Sequence, residues 1–207
     1  LEAIGRAYGR QGYYARAVDN LKRALQLRQH SSQVDSAAQT TLLIELAKAQ
    51  RSDGQLAAAN TTLDAALQLL DRTEQQSGIT RARLVAALGR LYLDQSDWRS
   101  AEKYLSESAA LLRVSKDQEP FQLVEVLRDL SSAQLWKGNA VVAEKTIREA
   151  VAIARTRLPE LHPSRILAEG VMAELLANSG HANEEAAALL EHVLQARRSL
   201  YGEVNSD

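Results

Sequence analysis

Four histidines, an adjacent pair of glutamates and a lysine beside a glycine are the side chains in these 207 residues that could do chemistry. A zinc-protease site needs two histidines at i and i+4 on one helical face. His30, His162, His181 and His192 contain no such pair, and they read as ordinary surface or connector residues. Cysteine is absent, which removes thiolate metal ligands, disulfides and cysteine nucleophiles. Glu184 and Glu185 are neighbours in sequence, so on a helix they point in different directions and make a poor acid–base pair. No Gly-x-Ser-x-Gly elbow and no Gly-x-x-x-x-Gly-Lys-Ser/Thr phosphate loop occurs, although either would be expected of common hydrolases or nucleotide enzymes. The expectation is a chain with no catalytic residue, no metal site and no cofactor.

Charge narrows the partners. With 25 Lys+Arg against 26 Asp+Glu the formal charge is -1, so there is no bulk positive excess to hold nucleic acid directly. No apolar run reaches the roughly 18 residues of a membrane span. Hydrophobic residues make up 45%, enough for a folded core. Aromatics at 4% leave little material for strands, which favour aromatic and β-branched side chains. An excess of Arg over Lys and abundant Ala suggest a bacterial source, and the lack of Cys fits a cytoplasmic location, with the periplasm as the alternative.

The elements that position these side chains follow from an internal repeat. Gly12, Gly54, Ser96, Gly138 and Gly180 stand 42 residues apart. Before them recur Leu1 and Ile4-Gly5, Leu43 and Leu46-Ala47, Val85 and Leu88-Gly89, and Leu127 and Leu130-Ser131. In the fifth unit Met172-Ala173 continue the pattern, with Glu169 where a large apolar residue is expected. After them come Ala17, Ala59, Ala101 and Ala143, then Leu21, Leu63, Leu105 and Ile147, then Ala24, Ala66, Ser108 and Ala150. In the last unit the matches are Ala186, Leu190 and Val193, each one residue late, which predicts an insertion near Asn183 or Glu184. Spacings of three and four on both sides of a small residue predict helix, tight turn, helix. The small residue suits a left-handed turn position. Gly78 with Thr80, Asp117 before Pro120, and His162-Pro163-Ser164 mark boundaries between units, since proline fits a first helical turn.

The Ile4-Gly5-x-x-Tyr8 and Leu88-Gly89-x-x-Tyr92 steps, followed by Ala17-x-x-x-Leu21 and Ala101-x-x-x-Leu105, resemble the tetratricopeptide repeat. The 42-residue unit and Leu158-Pro159-Glu160-Leu161-His162-Pro163, echoed by Tyr201-Gly202-Glu203-Val204-Asn205-Ser206, are similar to the kinesin-light-chain-like subclass. The resemblance implies an all-α solenoid of five antiparallel helix-turn-helix hairpins stacked into a right-handed superhelix. The units are approximately 1–39, 40–81, 82–123, 124–165 and 166–207, forming a single domain, and the chain reads as a fragment of a longer protein. One hairpin cannot bury its own apolar face, so each leans on its neighbours.

The same resemblance implies a protein-interaction scaffold in which the first helix of each unit lines a concave groove. One groove position carries Arg6, Lys48, Arg90, Ser132 and Glu174, and the next carries Arg10, Ser52, Asp94, Trp136 and Asn178. A third carries Glu2, Ile44, Ala86, Arg128 and Gly170, with Arg51 and Arg83 nearby. The candidate binding residues are therefore Arg6, Arg10, Lys48, Arg51, Arg83, Arg90, Arg128 and Trp136. They suit an acidic peptide, because guanidinium geometry matches carboxylates and Arg and Trp are enriched at binding hot spots. A solvated charged face is the plainer alternative. The Lys/Asn carboxylate clamp of chaperone-binding relatives is not reproduced. Within a larger bacterial signalling or regulatory protein the array binds a partner segment. The alternatives are self-association, packing against other domains of a multidomain kinase or transcription regulator, and a peptide or small-molecule sensor. Tyr14 and Trp98 share one repeat position, and Tyr8 and Tyr92 another, which favours packing. Trp136 has no aromatic counterpart.

Overall fold

The computed structural model describes residues 1–29, 36–72, 78–115, 119–178 and 184–202. Among them are ten helices and no strand. The helices are α1 (Glu2–Arg10), α2 (Tyr14–Gln29), α3 (Ser36–Ser52), α4 (Leu56–Arg72), α5 (Gly78–Asp94), α6 (Trp98–Val114), α7 (Pro120–Trp136), α8 (Ala140–Arg157), α9 (Pro163–Asn178) and α10 (Glu184–Tyr201). They form five hairpins. The chain divides into two compact units, Leu1–Leu111 and Leu112–Asp207.

Each described turn closes by the same local chemistry. The backbone N–H of Tyr13, Gln55, Asp97 and Asn139 donates to the carbonyl five residues earlier, on Tyr8, Gln50, Tyr92 and Gln134. The N–H of Gly12, Gly54, Ser96 and Gly138 donates to the carbonyl three residues earlier. That pair of bonds is the Schellman arrangement, which requires a left-handed residue just past the helix end. The requirement is met at φ 81° for Gly12, 77° for Gly54 and 94° for Gly138, and by Ser96 at 60° without glycine's freedom. The fifth turn residue, Gly180, lies outside the described residues, as do Asp117, Asn183 and residues 203–206 of the second connector. Pro120 occupies the first turn of α7, where a missing N–H costs nothing. At the start of α9 the His162 ring accepts a hydrogen bond from the Ser164 N–H at 3.2 Å.

In unit Leu1–Leu111 each first helix packs on its own second helix and on the second helix before it. The first helices also touch one another, α1 with α3 and α3 with α5. Unit Leu112–Asp207 repeats the pattern, with α7 on α8, α8 on α9, α9 on α10, and α7 touching α9. Within each unit the first helices thus form a closely packed layer.

Inside the hairpins a small residue meets a large one sixteen positions later. A Cβ added at Gly5 would stand 2.7 Å from Leu21 Cγ, and one at Gly89 would stand 2.6 Å from Leu105 Cγ. The same pairing in phase is Ala47 with Leu63, Ser131 with Ile147, and Ala173 with Leu189, all buried. The last pair corrects one of the three late matches: Leu189 is 4% exposed and Leu190 is 41%, whereas Ala186 and Val193 are buried as expected. Helix α10 buries Ala186, Leu189, Val193 and Ala196, a stripe at spacings of three and four. Leu189, Val193 and Ala196 thus fall in register with Ile147, Val151 and Ala154 of α8, while Ala186 stands one residue later than the counterpart of Ala143. Leu1 and Ile4, at 40% and 50% exposed, depart from their buried counterparts Leu43 and Leu46, because no described helix packs on that side of α1.

Polar pairs occupy another interhelical position, twelve residues apart across the turn. Thr62 donates to Gln50 Oε1 and Thr146 to Gln134 Oε1, each at 2.8 Å. In the hairpin between them the same place holds stacked rings, Tyr92 on Tyr104, with centroids 5.5 Å apart. Buried polar groups need such partners to offset lost hydration.

Candidate functional site

The candidate surface is the outward side of each first-helix layer, one in each unit. In unit Leu1–Leu111, Arg6 on α1 and Lys48 on α3 are exposed and Arg90 on α5 is half-buried. These three hold equivalent positions on helices that touch in succession. One turn further along, Arg10, Ser52 and Asp94 are all exposed.

Much of the positive charge is matched internally. Arg51 Nη1 donates to Asp94 Oδ2 at 2.8 Å, tying α3 to α5. Glu2 serves two cations, Arg28 of α2 at 2.6 Å and Arg6 one turn along at 3.8 Å. Arg10 and Lys48 have no ion pair with any described residue. Arg83 is exposed and, like Arg90, already engaged in an interaction within the fold. The surface of this unit is therefore a mixed one: braced pairs surround two cations with spare capacity.

In unit Leu112–Asp207 the character changes. Arg128 is half-buried and lies along α7 against Asp129, 2.7 Å from its Oδ1. Trp136, at the last turn of α7, is 67% exposed. Neighbouring α9 presents Glu174 and Asn178 to solvent. The third expected groove position is not a surface. Ala86 is 5% exposed, Gly170 is buried, and Ile44 packs on the core around Leu43 and Leu63.

The aromatic positions divide: Tyr14 is 38% exposed, whereas Tyr92 packs inside its hairpin. Tyr92 stacks on Tyr104, and burial raises its phenol pKa, aided by the neighbouring Tyr104, Asp64 and Asp97. Asp97 opens α6 by accepting from the Ser100 N–H at 3.1 Å, and hydrogen bonding from the Ser100 side chain, then from its N–H, lowers the Asp97 pKa. Such a cap satisfies an N–H that the helix cannot.

Sequence reasoning passed over one cluster. Glu169 has a fully buried side chain at 0% exposure, with Arg155 Nε 2.8 Å and Arg165 Nε 3.5 Å from its Oε1. His192, read from sequence as an ordinary residue, places Nδ1 2.9 Å from Glu169 Oε2 and Nε2 3.1 Å from Glu160 Oε1. The signal was present: Glu169 breaks the apolar column of Leu43, Val85 and Leu127, and His192 breaks the small column of Ala66, Ser108 and Ala150. His162 faces the Phe121 ring at 5.9 Å and caps α9. His30 and His181 lie outside the described residues. Among the described residues no group of three or more His, Cys, Asp or Glu is placed to hold a metal ion. No helix among them is long and apolar enough to cross a membrane.

Comparison with known proteins rests on shape. No family model matches the chain, and no curated protein matches it. A structure of nearly identical TPR-like repeats of the kinesin-light-chain kind, from Podosopora anserina, is similar at 22% identity with TM-score 0.74. That match covers 96% of this chain and 93% of the other. A Rap protein complexed with Competence and Sporulation Factor is similar at 14% identity and TM-score 0.80, over 95% of this chain and 52% of that one. The Rap conjugation gene regulator of plasmid pLS20, in complex with the Phr* peptide, is similar at 16% identity and TM-score 0.76. It covers 95% of this chain and 52% of the regulator. The likeness is one of fold: the ten helices are tetratricopeptide-type hairpins.

Proposed function

Proceeding from a tetratricopeptide-type fold, we propose that this chain is a protein-interaction scaffold whose first-helix layers receive an extended segment of a partner protein or peptide. The observation that carries the reading is the two adjacent outward rows on α1, α3 and α5, where exposed Lys48 and Arg10 have no ion pair with any described residue. Unmatched cations on a mixed surface favour an acidic segment, by supplying charge-assisted hydrogen bonds and steering approach. In the second unit exposed Trp136, at the end of the helix that carries Arg128, offers an aromatic anchor of the kind that dominates interface energetics. The Rap regulator, similar in fold and bound to a peptide, supports a peptide as one form of partner. The array matches about half of each Rap chain, which supports its being one part of a larger bacterial signalling or regulatory protein.

The test is binding to a panel of extended peptides, matched in length and differing only in acidic content, followed by fluorescence anisotropy. The expected result is selective retention of acidic members. Arg10→Glu with Lys48→Glu should weaken them by tenfold or more, on the order of the gain from two charged contacts, and should flatten their salt dependence. Equal binding of acidic and neutral members, unchanged in that double variant, would remove the acidic-segment reading. A Trp136→Ala change that leaves every retained peptide unaffected would remove the second anchor.

Self-association is a second reading, favoured by Leu190 and Leu194 on α10. They are 41% and 54% exposed one turn apart, an apolar pair where α8 carries Arg148 and Ala152. Light scattering across a concentration series reads it directly, and a constant monomer mass would end it.

A further inference from the structure

The groove between second helices α2 and α4 stands open where its counterparts are strapped. One step along the array, Arg81 of α5 lies 3.3 Å from Asp71 of α4 and 3.0 Å from Glu107 of α6. That triad ties three successive helices together. In unit Leu112–Asp207 ion pairs join second helices directly, Arg113 with Glu149 of α8 at 2.9 Å and Arg148 with Glu185 of α10 at 2.8 Å. The residues 42 positions before Arg81 and Glu107 are Gln39 and Ala65. Neither carries a charge, so the same strap cannot form.

A cleft of about 420 Å³ takes its place, within the size range of small-ligand sites. Its apolar wall is Leu25 of α2, Leu43 and Leu46 of α3 and Leu69 of α4. Leu25 and Leu69 are half-buried against the core that includes Leu43, so they retain apolar surface that a ligand would cover. The polar edge includes Gln39, Gln68 and Arg72, which have no hydrogen bond or ion pair with any described residue. The hydroxyls of Thr61 and Thr62, on the same edge, already donate to the Ala57 carbonyl and to Gln50 Oε1. A guanidinium only donates and stays charged, and the neighbouring Asp71 is engaged by Arg81. The antiparallel register that pairs Thr62 with Gln50 puts Arg72 and Gln39 at one end of the cleft and Leu46 toward the other. The cleft thus has a cationic end and an apolar body.

We propose that this cleft binds a small amphipathic carboxylate, its apolar chain on the four leucines and its carboxylate on Arg72 and Gln39. A carboxylate matches the guanidinium fork and accepts from the amide as well. A cleft bounded by three helices and ended by one cation fits a compact molecule, whereas a docked partner helix needs a row of anchoring pockets along the groove. The site uses neither Arg10 nor Lys48, so it stands apart from the reading of the first-helix surface.

Methyl NMR of the whole chain, titrated with octanoate, octanol and octylammonium, tests the proposal. Octanoate should shift the methyls of Leu25, Leu43, Leu46 and Leu69 saturably at about millimolar concentration. Octanol should bind about tenfold more weakly for want of a charge-assisted pair, and octylammonium no better than octanol. Arg72→Gln, at an exposed residue, should bring octanoate down to the octanol level. Gln39→Arg with Ala65→Glu installs the pair found at Arg81 and Glu107 and should abolish binding, with the methyls of the other hairpins unmoved. Arg10→Glu with Lys48→Glu should leave octanoate binding unchanged, whatever its effect on acidic peptides. Equal affinity for octanoate and octanol, or no saturable shift at these leucines, would overturn the proposal. Binding of a leucine-ended tripeptide acid about tenfold tighter than octanoate would also overturn it, assigning the cleft to a peptide terminus. Shifts at the same methyls that track protein concentration without ligand would do so too, assigning it to a second copy.

Discussion

The substitution Gly89→Ala tests the close approach of α5 to α6 inside their hairpin. On an exposed helix the change should stabilise by about 1 kcal/mol, because alanine has the higher helix propensity. Here the new Cβ would stand 2.6 Å from Leu105 Cγ, 2.9 Å from its Cδ2 and 3.3 Å from its backbone N. Carbon contacts are comfortable at about 3.5–4.0 Å, so α5 and α6 must separate by roughly 1 Å. Leu105 is 0% exposed, so any retreat must displace other buried side chains. Overpacking of this kind costs about 1–3 kcal/mol, which leaves the variant destabilised by about 0–2 kcal/mol once propensity is credited. The sharper expectation is a change of sign. Leu105→Ala alone should cost about 2–5 kcal/mol. In that background the clash is gone, and Gly89→Ala should stabilise by about 1 kcal/mol. Urea unfolding of the four proteins completes the double-mutant cycle, with an expected coupling of about 1–3 kcal/mol. Additive effects, with Gly89→Ala stabilising the wild type, would show that the glycine is not there for contact, and the account of the hairpin's spacing would fail.

Other expectations follow from particular contacts. Ser96 holds a left-handed φ of 60° where three other turns use glycine, so Ser96→Gly should raise stability by about 0.5–1 kcal/mol in the same unfolding assay. The Arg51–Asp94 bridge is partly exposed at 28% and 37%, and a double-mutant cycle should return no more than about 1 kcal/mol, shrinking in high salt. Hydrogen bonding from Arg148 lowers the Glu185 pKa and raises that of Arg148. The link from α8 to α10 is therefore complete above the ordinary carboxylate pKa and is lost as pH falls through the depressed value. A carboxyl-carbon NMR titration should place Glu185 below its value in Arg148→Ala, and coincident curves would refute the pairing.

The repeat was legible because its determinants are local. A left-handed residue past a helix end, an alanine five residues on and a leucine four later recur every 42 residues, and helix periodicity turns them into buried stripes without reference to any distant part of the chain. Ala17, Leu63, Leu105 and Ile147, singled out from spacing, are each within 2% of full burial. The candidate surface was legible only as residue types at repeat positions. Whether Arg51 is available to a partner depends on Asp94, 43 residues away and 2.8 Å distant, and no spacing rule encodes that pairing. The same limit misplaced the last helix. Sequence favoured Leu190 because a one-residue shift restores the Ala-x-x-x-Leu step, whereas the fold buries Leu189 in its place and keeps the expected Ala186 and Val193 inside. Glu169 is the clearest case. As a letter it is a blemish in an apolar column; in three dimensions it gathers Arg155, Arg165 and His192 from three helices. Helical periodicity sums contributions along the chain and can be counted, but charge compensation depends on distances across it, which only the folded arrangement decides.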